Sequence, residues 1–465
     1  MSSILLVNPP TALGIYEHSR VKVGMSTAPF ITLASLAGSV AAAGHGVSIL
    51  DLMVEPEPIQ AYRSRLAAMS PDFVGITFTT PLYSDARRLA GIAREVLPGA
   101  TVVAGNVHAT TFPEDVLRNG FDLVVLGEGE RTVQEITSGR PWREIPGVAF
   151  LEGDTFVSTG RRPLIENLDD LPLPAWELFD LSRYHAPHIA ARRNPVGYME
   201  TSRGCNHHCF YCSQTIFWHS IRFKSPERVV SEMLRMLDLG FREIHMKDNN
   251  FTADIERAKT ICRMLLDRGF DAPWALPTGV NVHDVDEEFF DLARKAGCYQ
   301  VAFGIESGDE QILKGVNKPQ SLEKMRKAVR MADRAGLETL GNFMLGLPGE
   351  TEETMQKTID FAVSLPLTYA KASMTLPFPA SVLYEQVKRD GRLLSEDWDR
   401  YNFHYTCDVW KHENLDWGTI RRYYNRFHRR FYFRPSFIWK RFLRGVRTGQ
   451  LLLDARAALS NKWSD

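Results

Sequence analysis

Short apolar runs alternate with helix-length stretches in two separate parts of the 465-residue chain. That rhythm limits the fold more than any other feature of the sequence. In residues 1–140 the runs are Ile4–Val7, Val47–Leu50, Phe73–Thr77, Thr101–Ala104 and Leu123–Leu126, with helical patterns such as Leu33–Ala43 and Ser84–Leu97 between them. Apolar runs of this length, without polar alternation, suit strands buried on both faces of a helix-covered parallel sheet. Five of them predict a flavodoxin-like doubly wound domain that takes ligands at the carboxyl ends of its strands.

The rhythm returns in residues 196–385. Strands are predicted at Tyr198–Thr201, Glu243–Lys247, Pro273–Leu276, Gln300–Phe303, Thr339–Leu345 and Ala370–Thr375. The helices between them include Pro226–Leu239, Ile255–Arg268, Asp286–Ala296, Leu322–Ala335 and Glu352–Leu365, the first opened by the cap-like pair Ser225-Pro226. Six strand–helix units predict a partial (β/α)6 barrel with its chemistry at the C-terminal strand ends. Residues 141–195 are rich in proline and predict a linker, with one hairpin near Val148–Val157 turning at Gly153-Asp154. Residues 386–465 predict a mainly α C-terminal region that serves as a lid or substrate-binding part. The fold class is therefore α/β with a helical extension.

The 55 basic and 56 acidic residues nearly cancel, so no global charge points to nucleic acid. The N-terminus reads as a buried strand, no apolar run reaches the ~18 residues of a membrane span, and the expected location is the cytoplasm. Six cysteines are present. Cys262, Cys298 and Cys407 are scattered and form no disulfide framework, which suits a reducing compartment.

Cys205, Cys209 and Cys212 lie together in the spacing C-x3-C-x2-C, directly after the first predicted barrel strand. Three thiolates fill three corners of a 4Fe-4S cluster and leave one iron open to a small molecule, since full ligation takes four protein ligands. The alternative is zinc, with His207 or His208 added, although structural zinc prefers two separated ligand pairs.

With Tyr211 inside it, this motif resembles that of the radical S-adenosylmethionine (SAM) superfamily. Asp248-Asn249-Asn250-Phe251, Gly304-Ile305-Glu306-Ser307-Gly308 and Gly346-Leu347-Pro348-Gly349-Glu350, after the second, fourth and fifth strands, resemble that superfamily in the same order. The first domain resembles the cobalamin-binding domain carried by one large branch, through Asn8-Pro9-Pro10, Gly105-Asn106-Val107-His108-Ala109-Thr110 and Gly127-Glu128-Gly129-Glu130. Two departures stand out. Gly105-Asn106 replaces a usual Gly-Gly, and Pro377-Phe378-Pro379-Ala380-Ser381 replaces Pro-aromatic-Pro-Gly-Thr. Nor is there an Asp-x-His-x-x-Gly, so the resemblance implies cobalamin without that histidine beneath the metal.

The resemblance implies three cofactors: a 4Fe-4S cluster on Cys205, Cys209 and Cys212, SAM on the open iron, and cobalamin on the first domain. SAM cleavage would give a 5′-deoxyadenosyl radical. Tyr211, Asp248, Asn249, Glu306, Ser307, Gly346 and Gly349 would meet the cluster or SAM. Asn8, Pro9, Thr77, Thr79, Gly105, His108, Gly127, Glu128 and Gly129 would meet cobalamin. Each has a plainer reading: an Asx turn at Asp248, a helix cap at Glu306, simple turns at the glycines, a hydrogen-bonded loop histidine at His108. The reaction implied first is methylation of an unactivated carbon or phosphorus centre in a small-molecule or lipid-like intermediate. The electron donor would be a flavodoxin or ferredoxin. Radical cyclisation like that of the anaerobic tetrapyrrole cyclases is the second reading, suggested by Pro277-Thr278-Gly279-Val280-Asn281; a non-catalytic cobalamin sensor is the third. The run Trp417–Arg447 carries ten Arg or Lys and no acid. It reads as a helical lid with an aromatic core face, as an anion-binding element, or as a peripheral membrane contact.

Overall fold

Five short strands, β1 (Ser3–Asn8), β2 (Gly46–Asp51), β3 (Phe73–Thr77), β4 (Thr101–Gly105) and β5 (Leu123–Val125), form a parallel sheet in the order β2-β1-β3-β4-β5. This computed structural model describes residues 1–10, 27–217, 220–318, 320–402 and 408–448. Cys407 therefore lies outside the described residues. The strand order is the doubly wound one that the apolar runs predict. Period-two alternation explains why both faces are apolar. Ile4, Leu6, Val103, Leu123 and Val125 pack on one side, and Leu5, Val7, Val74, Ile76, Val102, Ala104 and Val124 on the other.

Helices α1 (Ile31–Ala42), α2 (Pro58–Met69), α3 (Tyr83–Val96), α4 (Val107–Thr111), α5 (Pro113–Arg118) and α6 (Glu130–Thr137) cover these faces. The hairpin expected in the linker forms as β6 (Val148–Glu152) and β7 (Thr155–Ser158). It joins the sheet antiparallel to β5, so the first sheet runs on past residue 140.

Six further strands make a second, all-parallel sheet: β8 (Val196–Met199), then, after a small antiparallel pair β9 (Ser202–Arg203) and β10 (Arg222–Phe223), β11 (Glu243–Met246), β12 (Trp274–Val280), β13 (Cys298–Glu306), β14 (Glu338–Leu345) and β15 (Tyr369–Met374). They follow one another in sequence order from β8 to β15, the topology of a partial barrel. Helices α7 (Pro226–Asp238), α8 (Ile255–Asp267), α9 (Glu287–Lys295), α10 (Glu310–Gly315), α11 (Leu322–Arg334), α12 (Glu352–Ser364) and α13 (Val382–Arg389) connect or follow these strands. The caps are chemical: Ser225, Asp254, Asp286 and Asp309 each accept a backbone N–H at a helix start. β8 lies two residues earlier than the apolar pattern suggests, because Thr201 is held by Asp248 instead of continuing the ladder.

The basic–aromatic run forms α14 (Trp417–Tyr432) and α15 (Pro435–Thr448), separated at Pro435. The stripe of Trp417, Ile420, Tyr423, Tyr424, Phe427 and Phe431 is buried. The Phe427 ring packs at a tilt against Phe343 of β14, centroids 5.0 Å apart, and the Tyr432 hydroxyl donates to the Ala370 carbonyl of β15 at 2.8 Å. α14 therefore covers the outside of the barrel's last strands. Among the described residues, no helix is long and apolar enough to cross a membrane.

Candidate active site

The cysteine loop hangs between β9 and β10, and its shape is imposed from several sides. Gly204 has φ +98, and a Cβ there would stand 2.3 Å from the Ser220 carbonyl oxygen. Only glycine fits that close approach of two backbones. Phe210 donates its N–H to Val316 (2.9 Å) and accepts from Leu383 (3.0 Å). Asn317 holds the His208 carbonyl at 2.7 Å, and His207 meets Asn281. The loop is thus fastened to the turn after α10 and to the start of α13.

The thiols of Cys205, Cys209 and Cys212 are all half-buried and unbridged. Burial pushes those of Cys209 and Cys212 up, so a thiolate there needs a cationic partner such as iron. Among the described residues, no three His, Cys, Asp or Glu side chains converge on a single metal ion. A cluster takes one thiolate per iron and spreads its ligands around a cube, whereas zinc draws all of them to one point. The donor set fits the cluster. Tyr211 and Glu306 stand beside these thiols. Glu306, at φ +63 where β13 ends, pairs with Lys318 at 2.7 Å. Burial opposes the ammonium charge, but Glu306 together with the nearby Cys209 and Cys205 outweighs it and lifts Lys318 above the ordinary lysine range.

The remaining SAM-side residues are placed differently. Asp248 is buried; its Oδ1 accepts from Thr201 N–H (2.9 Å), Thr201 Oγ1 (3.0 Å) and Ser202 Oγ (2.5 Å). It anchors the start of the cysteine bracket, and its Oδ2 has no partner. Asn249 reaches Gln214, just past the cysteines, at 3.4 Å. Ser307 is turned toward α12, where its hydroxyl meets Thr358 at 3.2 Å. The N–H of Gly346 goes to Glu350 (2.7 Å) and that of Gly349 to Glu413. Those two glycines, both in the left-handed region, hold a turn whose amides are already bound.

At the first sheet, Thr77, Gly105, Gly127, Glu128 and Gly129 line one cavity of about 180 Å³ at the strand ends. A Cβ on Gly105 or Gly127 would meet no atom within 4 Å, so open space lies above both. Beneath them is an apolar slot of Ile4, Leu6, Leu33, Leu36, Val103 and Val133. An open glycine floor over an apolar slot fits a flat corrin with the aromatic base of its nucleotide tail in the slot. Asn106 takes φ +85 and ψ −171, a backbone shape nearly confined to glycine and one that a second glycine would adopt without strain, and its side chain caps Val107 N–H at 2.7 Å.

Four other residues expected to meet cobalamin are absent from this cavity's lining. Asn8, followed by Pro9, binds Asp51 at 2.9 Å. Thr79 precedes a short turn at Thr80–Leu82. His108 is buried among Phe78, Tyr83, Phe112 and Trp398, with Nδ1 3.3 Å from Thr80 Oγ1 and Nε2 without a partner. Burial lowers its pKa to about 3 and keeps the ring neutral.

Residues the sequence did not single out join the two halves. Glu200, Arg203 and Phe217, on either side of the cysteines, close the cavity from above. Arg203 binds Glu128 (3.1 Å), Glu130 (2.5 Å) and Glu200 (2.6 Å), and Arg222 grips Glu128 through two nitrogens (2.9 and 3.0 Å). Burial disfavours the Glu128 charge, but Arg222 and Arg203 overcome it and hold the carboxyl below its usual range. Glu128 lines the cavity and also ties the first sheet to the bracket of the cysteine loop. The position of Arg203, two residues before Cys205, was the sole hint in the sequence.

A profile of the radical SAM superfamily matches residues 199–362, and one of the B12 binding domain matches residues 22–137. The chain is 33% identical to an uncharacterized methyltransferase of Pyrococcus horikoshii, over 95% of this chain and 97% of that one. It is 30% identical to the cytidylyl-2-hydroxyethylphosphonate methyltransferase of Streptomyces wedmorensis, over 83% and 82%. In fold it is similar to the radical SAM methyltransferase TsrM of Kitasatospora setae, solved with cobalamin and a 4Fe-4S cluster (TM-score 0.69, 22% identity, 84% of this chain and 75% of that one). A radical SAM barrel behind a B12-type sheet defines the class of enzyme. The chain belongs to the cobalamin-binding radical SAM family, among its methyltransferase-like enzymes.

Proposed function

We propose that the chain is a cobalamin-dependent radical SAM methyltransferase acting on an unactivated carbon, or a phosphorus centre, of a small-molecule or lipid-like intermediate. The observation that carries this reading is the cavity shared by the two halves: the glycine floor of the first sheet is closed by Glu200, Arg203 and Phe217, which flank the cysteine loop. When bound, the cluster supplies the electron that cleaves SAM and cobalamin supplies the methyl group. Cys205, Cys209 and Cys212 would hold the cluster, with Tyr211, Glu306 and Asn249 beside it. Thr77, Gly105, Gly127 and Gly129 would floor the corrin, with Asn8, Pro9 and Thr79 at the neighbouring strand ends. Glu306, fixed by Lys318, would face the ribose or ammonium of SAM. Asp248, Ser307, Gly346 and Gly349 would keep the mouth in shape, and Glu128 would align the two halves. Residues 1–140 would thus serve cobalamin, 196–385 the radical chemistry and 386–465 the substrate, with a reduced flavodoxin or ferredoxin as electron donor.

Single alanine variants of Cys205, Cys209 and Cys212 test the assignment. Each should lose the ~4 irons of the cluster and all 5′-deoxyadenosine formation while retaining bound cobalamin. SAM cleavage that survives in these variants would refute it.

A further inference from the structure

The two C-terminal helices treat their apolar residues in opposite ways. α14 buries its aromatic stripe and exposes Arg421, Arg422, Arg426, Arg429 and Arg430. α15 is fastened by cations. Arg434, just before it, donates to the Val363 carbonyl (2.9 Å) and the Leu367 carbonyl (3.2 Å), and Arg441 donates to the Tyr369 hydroxyl (2.7 Å). Phe437, between them, packs against Phe431 (5.8 Å) and Tyr432 (5.1 Å) of α14. Arg434, Phe437 and Arg441 are spaced i, i+3, i+7, which is one face of a helix. The other face carries Ile438, Trp439, Phe442, Leu443 and Val446, each between 44% and 61% exposed. Trp439 and Phe442 stack there with ring centroids 5.9 Å apart.

A surface helix ordinarily turns its apolar stripe to the core; α15 holds on through charges and shows its apolar stripe. Twelve large hydrophobic side chains are exposed among the described residues, and five of them share this one face, so the patch is not the ordinary scatter of single apolar side chains. The charge around it has one sign. Residues 417–453 contain ten Arg or Lys and no acid. A second copy of the chain would set two such surfaces against each other and repel. An acidic electron carrier does not fit either. It must reach the cluster, whereas α15 is fixed at Val363, Leu367 and Tyr369, where β15 begins, at the end of the barrel away from the cysteine loop. The 14 residues of α15 make a rod of about 21 Å at ~1.5 Å per residue. That is too short to cross a hydrocarbon layer of about 30 Å but suits a helix lying in its surface.

We propose that the outward face of α15 is a docking surface for a membrane with anionic headgroups. Trp439, Phe442 and their apolar neighbours enter at the level of the headgroups and upper acyl chains, where aromatic side chains are favoured. The basic residues of the same segment meet lipid phosphates. The inference is independent of the methyltransferase reading. α14 runs from Gly346 at the mouth, beside Ile420, to Ala370 at the start of β15, beside Tyr432. The patch thus lies a full helix away from the radical chemistry, as an anchor.

Flotation of the full-length reconstituted holoenzyme with lipid vesicles tests the surface. Partition onto a two-to-one mixture of phosphatidylcholine and phosphatidylglycerol should exceed that onto pure phosphatidylcholine at least about tenfold and should weaken as salt rises. The double variant Trp439→Glu, Phe442→Glu should lower partition onto the mixture at least about tenfold, with iron and cobalamin contents confirming an intact fold. Failure of the wild-type protein to float with the mixture would overturn the proposal. So would equal partition onto pure phosphatidylcholine, or undiminished flotation of the double variant. A dimer in sedimentation velocity that the double variant dissolves, without flotation, would assign the face to a second copy and overturn it as well. Flotation gained only on removal of residues 449–465 would do the same, because the chain's own end would then be the occupant.

Discussion

Replacing Glu128 by glutamine probes the tie between the two halves directly. The carboxylate is nearly inaccessible, at 6% side-chain exposure against 8% for Arg222. It accepts two bonds from Arg222, one from Arg203 and one from the Ile165 N–H at 2.9 Å. Glutamine keeps one carbonyl oxygen but no charge. Arg203 retains Glu130 and Glu200, whereas Arg222 keeps the Ile165 carbonyl (2.6 Å) without its carboxylate. Removing one partner of a buried ion pair destabilises by about 3–5 kcal/mol. The retained amide places Glu128→Gln at the low end, about 3 kcal/mol. The damage is local, so hydrogen exchange is the assay. Amides of β9 and β10 and the Lys224 N–H, which bonds the Thr201 carbonyl at 2.9 Å, should exchange about a hundredfold faster, since about 1.4 kcal/mol corresponds to tenfold. A double-mutant cycle with Arg222→Gln should return a coupling near 2 kcal/mol. The pH dependence follows from the lowered Glu128 pKa. The contribution is complete above the ordinary carboxylate range and is lost as pH falls through the lower folded value. Exchange within threefold of wild type across residues 201–224, or a coupling below about 0.5 kcal/mol, would refute the tie.

Two further outcomes are expected. Gly204→Ala would drive a Cβ into the Ser220 carbonyl at 2.3 Å and demand a left-handed alanine, so the purified variant should bind cobalamin normally but take up far less iron; a full complement of iron would contradict the account. His108 is neutral in the fold, with its pKa lowered to about 3. The unfolded chain therefore binds a proton that the native state refuses between about pH 6.5 and 3, and native stability falls by about 1.4 kcal/mol per pH unit on acidification through that window. Denaturant melts of His108→Phe between pH 7 and 4 should lose less stability than wild type; parallel losses would show that His108 does not set the acid sensitivity.

The fold was legible because burial on both faces leaves an unmistakable mark on short strands such as Ile4–Val7 and Thr101–Ala104, and because Ser225-Pro226 advertises a helix start. The cysteine spacing is local and carried its own chemistry. Side-chain direction at the strand ends was not legible. Ser307 follows a strand as Glu306 does, yet one turns to α12 and the other to Lys318 beside the cysteines. Asp248 reads in the sequence as a ligand residue, and nothing there tells that one of its oxygens fastens Thr201 and Ser202. Partners far apart in sequence were also hidden. Arg203 meets Glu128 across 75 residues and Arg222 meets it across 94. The strand positions predict the mouth of the barrel, but which side chains meet from distant elements depends on a curvature that no local pattern encodes.

Anaerobic turnover of the reconstituted, cobalamin-loaded enzyme with reductant and SAM, both nucleoside products quantified, tests the central claim most directly. Methyl transfer coupled to radical formation predicts S-adenosylhomocysteine together with 5′-deoxyadenosine, both dependent on the three cysteines. 5′-Deoxyadenosine without S-adenosylhomocysteine would contradict methyl transfer in favour of a cyclisation-type radical reaction, and the absence of both would contradict the enzyme assignment.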